Sequence, residues 1–567
     1  MPYDCASRKT VCASGTDRPW LRAARGGVEE PETEAAEMCG IAGIWGADDP
    51  ALVRRMTDAI AHRGPDGEGI HAQRNGALGH RRLAIMDPLG GAQPLYVETP
   101  GEAIVANGEI FNYPAIRDDL AARHAFVTGS DIEAVLHLYE ERGAGIVRAL
   151  GGMYALAICD PDHLFLARDP IGIKPLYFGH GRTADGSAVL AFASEMRALE
   201  GWVDDLAEFP PGTSYDSRTG FATYYEVPAG EPVERSLDDQ VAAVRAGLEA
   251  AVASHLMSDV PVGAFLSGGL DSSVLAALAR RHVDELHTFA VGIAGSRDLA
   301  AARRVAEHIG SVHHEHVITE EAVVEALPDV VASLESFDQD LVRSAIPTFF
   351  CSRLAAEHVK VILTGEGADE LFAGYTYHAA IPDPATLHRE LVRSVGALHN
   401  VNLQRVDRLT MRHGLEGRVP FLDTAFIELA LSVPAELKLR REPGAPPVEK
   451  WILRKATEDL LPADIVWRRK EQFDEGSGTV DLLAEILPRL AAGVDIAAES
   501  AVAGLPLRSP EEALYHRLLR ESVARPDLVL ANVGRWSHGR VSPVAAMATA
   551  TTEATTATAS PAATPVP

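Results

Sequence analysis

Hydrophobic and polar positions divide the chain into two regions. In residues 39–225, short apolar and β-branched runs such as 103–106 alternate with Gly, Asn and Pro turns, a pattern typical of strands. From about Leu237 onward, Ala-rich helical periods alternate with short apolar runs. The apolar runs predict buried strands at residues 260–266, 288–291 and 359–363. This alternation predicts a parallel sheet covered by helices.

Changes in composition mark the ends of these regions. Residues 217–236 are rich in Pro and Gly and predict a linker between domains at 39–225 and 237–540. Residues 1–38 show no apolar period, so we expect them to lie outside the fold, as an extension absent from the mature chain or removed from it. Residues 541–567 are built largely from Ala, Thr and Pro. This composition offers too little apolar surface to offset the entropy of ordering and predicts a disordered tail.

The overall charge and the cysteine pattern exclude several functional classes. The 567 residues include 52 basic and 80 acidic side chains, and a formal charge of -28 would repel a phosphate backbone. No apolar run is long enough to cross a bilayer, and the five cysteines show no paired spacing. We therefore expect a cytoplasmic protein that binds neither nucleic acid nor membrane.

Residues 262–273 predict a strand, a tight glycine loop and a helix start. Gly268 and Gly269 allow the backbone to approach an anion, and the serines on either side supply hydroxyl donors beside the positive end of the helix dipole. No Gly-Lys-Ser/Thr follows, so this is not a Walker loop. It resembles the pyrophosphate loop of the N-type ATP pyrophosphatases, which implies cleavage between the α and β phosphates of ATP. A simple helix cap is the alternative for the Ser-Gly-Gly triplet alone.

A second glycine loop follows the strand predicted at residues 359–363. It runs from Thr364 through Gly365 and Glu366 to Asp369. The carboxyl ends of parallel strands meet at one edge of a sheet, so the two loops are expected to share a ligand crevice. Asp271 and Asp369 are then candidate ligands for Mg²⁺, and Glu366 is expected to position the reacting carboxylate or its attacker.

Cys39 is a candidate nucleophile because of its place in the sequence Met38-Cys39-Gly40-Ile41. Removal of Met38 would give Cys39 a free α-amino group, whose pKa of about 7.7 to 8 suits proton abstraction near neutral pH. This base does not exist while 38 residues precede Cys39. We therefore expect translation to start at Met38, with cleavage of a propeptide as the alternative. A cysteine taken alone is more often a small buried hydrophobe.

Four segments that follow Cys39 resemble the class II, N-terminal nucleophile glutamine amidotransferases. They are residues 62–67, 80–83, 107–112 and 129–131. The resemblance implies that Cys39 attacks the side-chain amide of glutamine, and that the Asn107 carboxamide and the Gly108 N–H form the oxyanion hole. It also implies that Arg82 binds the glutamine carboxylate, while Glu109 and Asp131 receive its ammonium group.

With both regions in view, residues 38–535 resemble the glutamine-hydrolysing asparagine synthetases. Further matching stretches are residues 90–95, 168–172, 193–196, 254–261, 417–423 and 469–473. The resemblance implies an α+β N-terminal nucleophile sandwich followed by an α/β parallel-sheet ATP-pyrophosphatase domain. It implies that aspartate attacks the α-phosphate of Mg·ATP and that ammonia from glutamine, carried through an internal tunnel, displaces AMP. ATP, glutamine and aspartate are the expected ligands, and a homodimer is one assembly open to the chain.

The resemblance also assigns residues to the synthetase site. The positions around ATP are Leu266, Ser267, Gly268, Gly269, Asp271, Ser272, Val291, Thr364 and Gly365. Glu366 and Lys470 match groups that serve the adenylate, and Lys470 suits this task as a mobile cation. Arg343 and Glu366 match the positions expected to hold aspartate.

The chain departs from the family pattern just before Arg343. Common members carry two threonines where this chain has Asp340 and Leu341, so two hydroxyl donors are lost and a negative charge is added. A synthetase that adenylates a different carboxylate is therefore one alternative. A tRNA-modifying ATPase with the same loop is a second, which the acidity of the chain and its glutaminase half disfavour. A catalytically dead binding protein is a third, although no nucleophile or loop is lost.

Overall fold

The computed structural model describes residues 39–64, 66–97, 101–537 and 540–543. The predicted extension at residues 1–38, and residues 544–567 of the tail predicted at 541–567, lie outside these ranges. The predicted end of the second domain at residue 540 falls within a short hairpin, so residues 541–543 belong to a strand.

The first half of the described chain is built on two antiparallel sheets. One has the order β10-β8-β9-β1-β3-β2, and the other has the order β12-β11-β7-β6-β5-β4. Their strands are β1 Gly40–Trp45, β2 Gly67–Gln73, β3 Gly76–Arg82, β4 Leu95–Tyr96, β5 Ala103–Ile110, β6 Gly152–Asp160, β7 His163–Arg168, β8 Tyr177–Arg182, β9 Ala188–Ala193, β10 Ala207–Glu208, β11 Thr213–Asp216 and β12 Gly220–Thr223.

The two sheets pack face to face, with helices on their outer faces. Apolar side chains of both sheets, including Ile41, Phe192, Val105 and Leu166, form one buried cluster between them. The helices are α1 Pro50–Ala59 on the first sheet, and α2 Tyr113–Leu120 and α3 Asp131–Arg142 on the second. This arrangement confirms the predicted N-terminal nucleophile sandwich.

The second half contains a five-stranded parallel sheet of order β15-β14-β13-β16-β17. Its strands are β13 Val262–Phe265, β14 His287–Gly292, β15 Val312–Val317, β16 Val361–Leu363 and β17 Glu416–Arg418, and a hairpin of β18 Gly534–Ser537 and β19 Arg540–Pro543 follows. The strands predicted at residues 260–266, 288–291 and 359–363 are confirmed as β13, β14 and β16.

Helices cover both faces of this sheet. They are α4 Leu237–His255, α5 Leu270–Ala279, α6 Arg297–Ile309, α7 Glu320–Leu334, α8 Gln339–Ala356, α9 Ala368–Phe372, α10 Pro384–Gly396, α11 Asn402–Met411, α12 Thr424–Leu431, α13 Ala435–Lys438, α14 Trp451–Ala456, α15 Ala463–Val466, α16 Phe473–Gly476, α17 Thr479–Leu490, α18 Ile496–Ala503, α19 Pro510–Ser522 and α20 Pro526–Ala531. Along β14, Phe289 and Val291 point to α7 and α8, and Ala290 points to α5 and α6. The predicted α/β architecture is therefore confirmed.

The two halves share a hydrophobic core. Val53, Met56 and Leu199 of the sandwich belong to the same buried cluster as Leu334 and Ile346 of the second half. Apolar burial contributes roughly 25 cal/mol per Å², so a continuous core fixes the two halves against each other. Groups at their junction can therefore keep defined distances.

Candidate active sites

Cys39 lies directly before β1, with its thiol against the backbone of Leu83. The Leu83 N–H donates to Sγ at 3.3 Å, and Sγ lies 3.5 Å from the Leu83 carbonyl oxygen. Burial raises the pKa of the Cys39 thiol to about 12. The thiol is therefore neutral near pH 7, and attack on a substrate requires a base that takes its proton.

Strand β5 brings the two predicted oxyanion-hole residues to the same region. The Asn107 carboxamide nitrogen donates to the Cys39 carbonyl oxygen at 3.2 Å, which leaves its second N–H for a ligand. Gly108 follows with φ of 128°, and an added Cβ would lie 1.9 Å from the Met153 carbonyl oxygen. Only glycine fits this position, whose backbone N–H is the second predicted donor.

The three residues predicted to bind glutamine are buried near this strand. The Arg82 guanidinium donates to the carbonyl oxygens of Pro88 at 3.0 Å and Asp87 at 2.6 Å, so it also shapes the loop beside it. Asp131 accepts from the Ile110 N–H at 2.8 Å, and burial raises its pKa to about 6. Burial, followed by the charge of Asp131, raises the pKa of Glu109. Two adjacent carboxylates are suited to an ammonium group, which would relieve their repulsion.

A buried polar cluster connects this region to the parallel sheet. The Glu109 carboxylate lies 3.6 Å from the Arg418 guanidinium, which donates to Glu416 at 2.8 Å. Lys174 donates to the other oxygen of Glu416 at 3.3 Å. On the far side, the Arg418 carbonyl oxygen accepts from the Thr364 N–H at 2.9 Å. Contacts therefore run without interruption from the predicted glutamine site to the second glycine loop.

The loops after β13 and β16 meet at a cavity of about 480 Å³. The predicted residues that line it are Leu266, Ser267, Gly269, Asp271, Ser272, Thr364, Gly365, Glu366, Asp369 and Lys470. Three predicted residues of the described chain, Gly268, Val291 and Arg343, do not line it. Gly268 supports the loop from behind, since its φ is 70° and an added Cβ would lie 2.4 Å from the Cβ of Ala301.

The two carboxylates predicted to bind Mg²⁺ face each other across two lysines. The Lys450 ammonium lies 2.6 Å from both Asp271 and Asp369, and the Lys470 ammonium lies 2.9 Å from Asp369. Burial would raise the pKa of Asp369, but Lys450 and Lys470 together hold it below its usual range. The other oxygen of Asp271 is buried without a hydrogen-bond partner among the described residues. An unsatisfied carboxylate oxygen of this kind fits a hard cation.

The predicted acceptor region differs from expectation. Arg343 donates two hydrogen bonds to Glu511, and its guanidinium therefore serves an internal pair. The Asp340 carboxylate accepts from Arg508 at 3.2 Å, so its added negative charge is balanced by this arginine. Arg508 lines the cavity, as does Arg405. Both of these arginines are paired with carboxylates of the chain, Arg405 with Glu366 and Arg508 with Asp338, and unlike Arg343 they face the cavity.

Comparisons with known proteins agree with this architecture. Residues 38–255 match the family model of the glutamine amidotransferase domain, and residues 243–384 and 379–537 match that of asparagine synthase. The chain is 42% identical over 464 residues to asparagine synthetase [glutamine-hydrolyzing] 3 of Arabidopsis thaliana, covering 78% of this chain and 79% of the relative. The corresponding protein of Zea mays is 38% identical over 518 residues, covering 86% and 87%. The chain belongs to the glutamine-hydrolysing asparagine synthetases.

Membership of this family confirms the resemblance seen in the motifs. A further relative, from Triphysaria versicolor, is 40% identical over 464 residues, with 78% of each chain covered. Within the described residues, no helix has both the length and the apolar character needed to cross a bilayer.

Four residues of these sites were missed from the sequence. Lys174 and Glu416 flank or begin motifs that match the family, but they are 242 residues apart and nothing local predicts their contact. Lys450 lies in no recognised motif and has a left-handed backbone at the start of α14. Arg63 lies inside the matching segment 62–67 and was not assigned a role. A basic residue inside a matching motif was the one signal that could have identified it.

Proposed function

We propose that this asparagine synthetase transfers the amide nitrogen of glutamine to the β-carboxylate of aspartate, with cleavage of ATP to AMP and diphosphate. One observation carries the proposal. Most residues proposed for the synthetase site line one cavity, and a continuous buried cluster from Glu109 to Thr364 connects this cavity to the Cys39 region, which supports the proposal. The named residue roles are part of the proposal.

The first half-reaction takes place at Cys39. The α-amino group of a terminal Cys39 removes the thiol proton, and Sγ attacks the side-chain carbonyl carbon of glutamine. Asn107 and Gly108 hold the oxyanion, and losing one such donor typically costs about 2.7 to 4 kcal/mol of barrier. The C–N bond then breaks to release ammonia, and water hydrolyses the thioester to glutamate. Arg82, Glu109 and Asp131 hold the ends of glutamine that do not react.

The second half-reaction takes place in the cavity between the glycine loops. An oxygen of the acceptor carboxylate attacks the α-phosphorus of ATP, and the bond to the β-phosphate breaks. The loop at residues 267–272 holds the departing diphosphate through hydroxyl and backbone N–H donors. Lys470 neutralises charge that develops on the phosphate. Ammonia then attacks the acyl carbon, AMP leaves, and Glu366 accepts the released proton.

The site also fits a magnesium ion that would bind together with ATP. Asp271 and Asp369 are the residues that would hold it, and the unsatisfied oxygen of Asp271 fits this role. A bound Mg²⁺ would supply positive charge to the phosphate oxygens during their transfer. Lys450 lies between the same two carboxylates, and its charge helps to hold the pKa of Asp369 below its usual range.

Ammonia passes between the sites along the buried cluster at the junction. Glu109 borders the glutamine site, and Arg418 reaches from it to the backbone of Thr364 at the second site. Both groups are nearly inaccessible to solvent. Excluding water keeps ammonia unprotonated and therefore nucleophilic on its way to the adenylate.

The acceptor region supports a second candidate, a different acidic acceptor. Asp340 and Leu341 replace two hydroxyl donors, and Arg343 is already paired with Glu511. An acceptor would then be held by Arg405 and Arg508. Such a change alters the identity of the acceptor and leaves the adenylation chemistry as it is.

Incubation with defined substrates tests the proposal. Protein that begins at Cys39 is mixed with glutamine, Mg·ATP and one acidic acceptor from a panel, and AMP, diphosphate and amide product are followed. We expect AMP and asparagine in equal amounts when the acceptor is aspartate, and no AMP with the other acceptors of the panel. AMP that depends on another acceptor would establish the second candidate. Accumulation of ADP would contradict both.

A further inference from the structure

The Arg63 guanidinium connects the catalytic end of the chain to the second half. Its Nε donates to the Cys39 carbonyl oxygen at 3.2 Å, and one terminal nitrogen donates to the Asn107 carboxamide oxygen at 3.3 Å. The terminal nitrogens also donate to both oxygens of Asp407, at 2.8 and 3.1 Å, and to Glu195 at 2.8 Å. All five N–H groups of Arg63 are thereby used, and its side chain is fully buried.

Asp407 lies on helix α11, whose neighbouring residues reach the nucleotide cavity. Arg405, two positions earlier, forms an ion pair with Glu366, and both of these residues line the cavity. Asn402, at the start of the helix, donates to Glu370 at 3.3 Å and also lines the cavity. One helix of ten residues therefore contacts the proposed acceptor site at Arg405 and the Cys39 region at Asp407.

Buried charged contacts join α11 to the residues around it. Arg408 is fully buried, lies 3.0 Å from Glu195 and 2.9 Å from Glu335, and donates to the Ser194 carbonyl oxygen. Removing one partner of a buried charged pair is costly, so such networks hold discrete arrangements and do not deform smoothly. A displacement of α11 would therefore act on Arg405 and Asp407 together.

An acidic acceptor would disturb the cavity end of this helix. Its carboxylates compete with Glu366 for Arg405, and the negative adenylate adds to the same competition. Resting on the proposed function, we propose that α11 couples the two sites. Asp407 is the positioning residue: it fixes the position of the Arg63 guanidinium, which in turn holds the Cys39 main chain and the Asn107 carboxamide. Occupancy of the acceptor site changes this position through the same helix.

Substitution of Asp407 tests this coupling. D407N weakens the two bonds to Arg63 and leaves the identity of every residue in both sites unchanged. We expect kcat for glutamine hydrolysis to fall by about 3- to 30-fold, with KM for glutamine and ammonia-dependent synthesis unchanged. In the unaltered protein, adding aspartate and Mg·ATP changes the rate of glutamine hydrolysis, and in D407N this response disappears. D407E, which can still pair with Arg63, restores part of it.

A matched control lies at the other end of the same helix. Arg412 follows α11 and pairs with Asp329 at 3.0 Å, in a half-exposed position away from Cys39. D329N is expected to keep the hydrolysis rate and its response to synthetase substrates. Ammonia-dependent synthesis reports that each variant is folded.

Three results would overturn the coupling role. One is a D407N protein with the unaltered hydrolysis rate and response, and a second is equal loss of both activities. The third is an unaltered protein whose hydrolysis ignores aspartate and Mg·ATP. Failure of the proposed function is distinguishable, because the unaltered protein would then form no AMP with glutamine and aspartate.

Discussion

Cys39 shows how the surroundings of one residue set its chemistry. Burial raises the pKa of its thiol to about 12, and no thiolate is available near neutral pH without a local base. Its carbonyl oxygen accepts from both Arg63 and Asn107, which fixes the main chain beside the thiol. In the proposed mechanism, a terminal amine on the same residue is that base.

We expect the proposed role of Asp131 to make glutamine binding depend on pH. Its pKa is raised to about 6, so the carboxyl group becomes protonated as the pH falls through 6 and can no longer receive an ammonium group. We expect KM for glutamine to rise roughly tenfold for each pH unit well below 6. Initial rates of glutamine hydrolysis between pH 5 and 8 measure this, with D131N as a control whose KM is high throughout. A KM that stays constant over this range would contradict the role of Asp131.

Substitution of Lys470 should distinguish the activity of the synthetase site from that of the glutaminase site. Its ammonium lies 2.9 Å from Asp369 at the proposed metal position and is expected to neutralise the phosphate during transfer. K470A should lower kcat for ammonia-dependent synthesis by about 10²- to 10³-fold and leave glutamine hydrolysis unchanged. K455A removes an exposed lysine paired with Glu458 and should change neither rate. An equal fall in both rates for K470A would show that Lys470 acts on the fold.

At the scale of elements, the glycine loop after β13 depends on close packing against α6. Gly268 has φ of 70°, and an added Cβ would lie 2.4 Å from Ala301. G268A should therefore cost about 1 to 3 kcal/mol of stability and abolish ATP-dependent synthesis while glutamine hydrolysis continues. Gly295 also has a positive φ, with open space around its Cβ position, and G295A should cost only the backbone strain. Thermal unfolding measures the stability of each variant, and KM for ATP measures its synthetase site. Normal synthesis by G268A would refute the prediction.

Local elements could be predicted from the sequence because their signals are local. Helix α6 begins after Ser296, whose hydroxyl accepts from the Leu299 N–H, and ends at Gly310 in the left-handed region. The strand and loop that precede Asp271 follow from one apolar run and one glycine pair. The function of α11 could not be predicted in this way, because its amphipathic pattern is that of any packed helix.

At the scale of the whole molecule, long-range contacts limited what could be predicted. Asp407 meets Arg63 across 344 residues of sequence, and Lys450 meets Asp271 across 179. Periodicity describes which face of an element is buried and does not identify its partner. The pairing of Arg343 with Glu511 was unexpected for the same reason, since an arginine in a matching motif is equally suited to a ligand or to an internal carboxylate.

The proposed chemistry also predicts which form of the chain is active. Protein that begins at Cys39 should hydrolyse glutamine, whereas protein that retains residues 1–38 lacks the α-amino base and should not. Both forms should make asparagine from ammonia, because the second cavity is built from other residues. Intact mass measured beside each assay identifies the form. Full glutaminase activity in a preparation that retains the extension would refute the terminal-amine mechanism.

The central claim is that nitrogen released at Cys39 reaches an adenylate formed in the same molecule. The most direct measurement supplies glutamine labelled with ¹⁵N in its amide, together with unlabelled ammonium, aspartate and Mg·ATP, and follows the label in asparagine by mass spectrometry. The unaltered protein is expected to give ¹⁵N-labelled asparagine with one AMP for each product, and C39A is expected to give only unlabelled asparagine. Label in the product of C39A, or a complete absence of label from the asparagine made by the unaltered protein, would contradict the account.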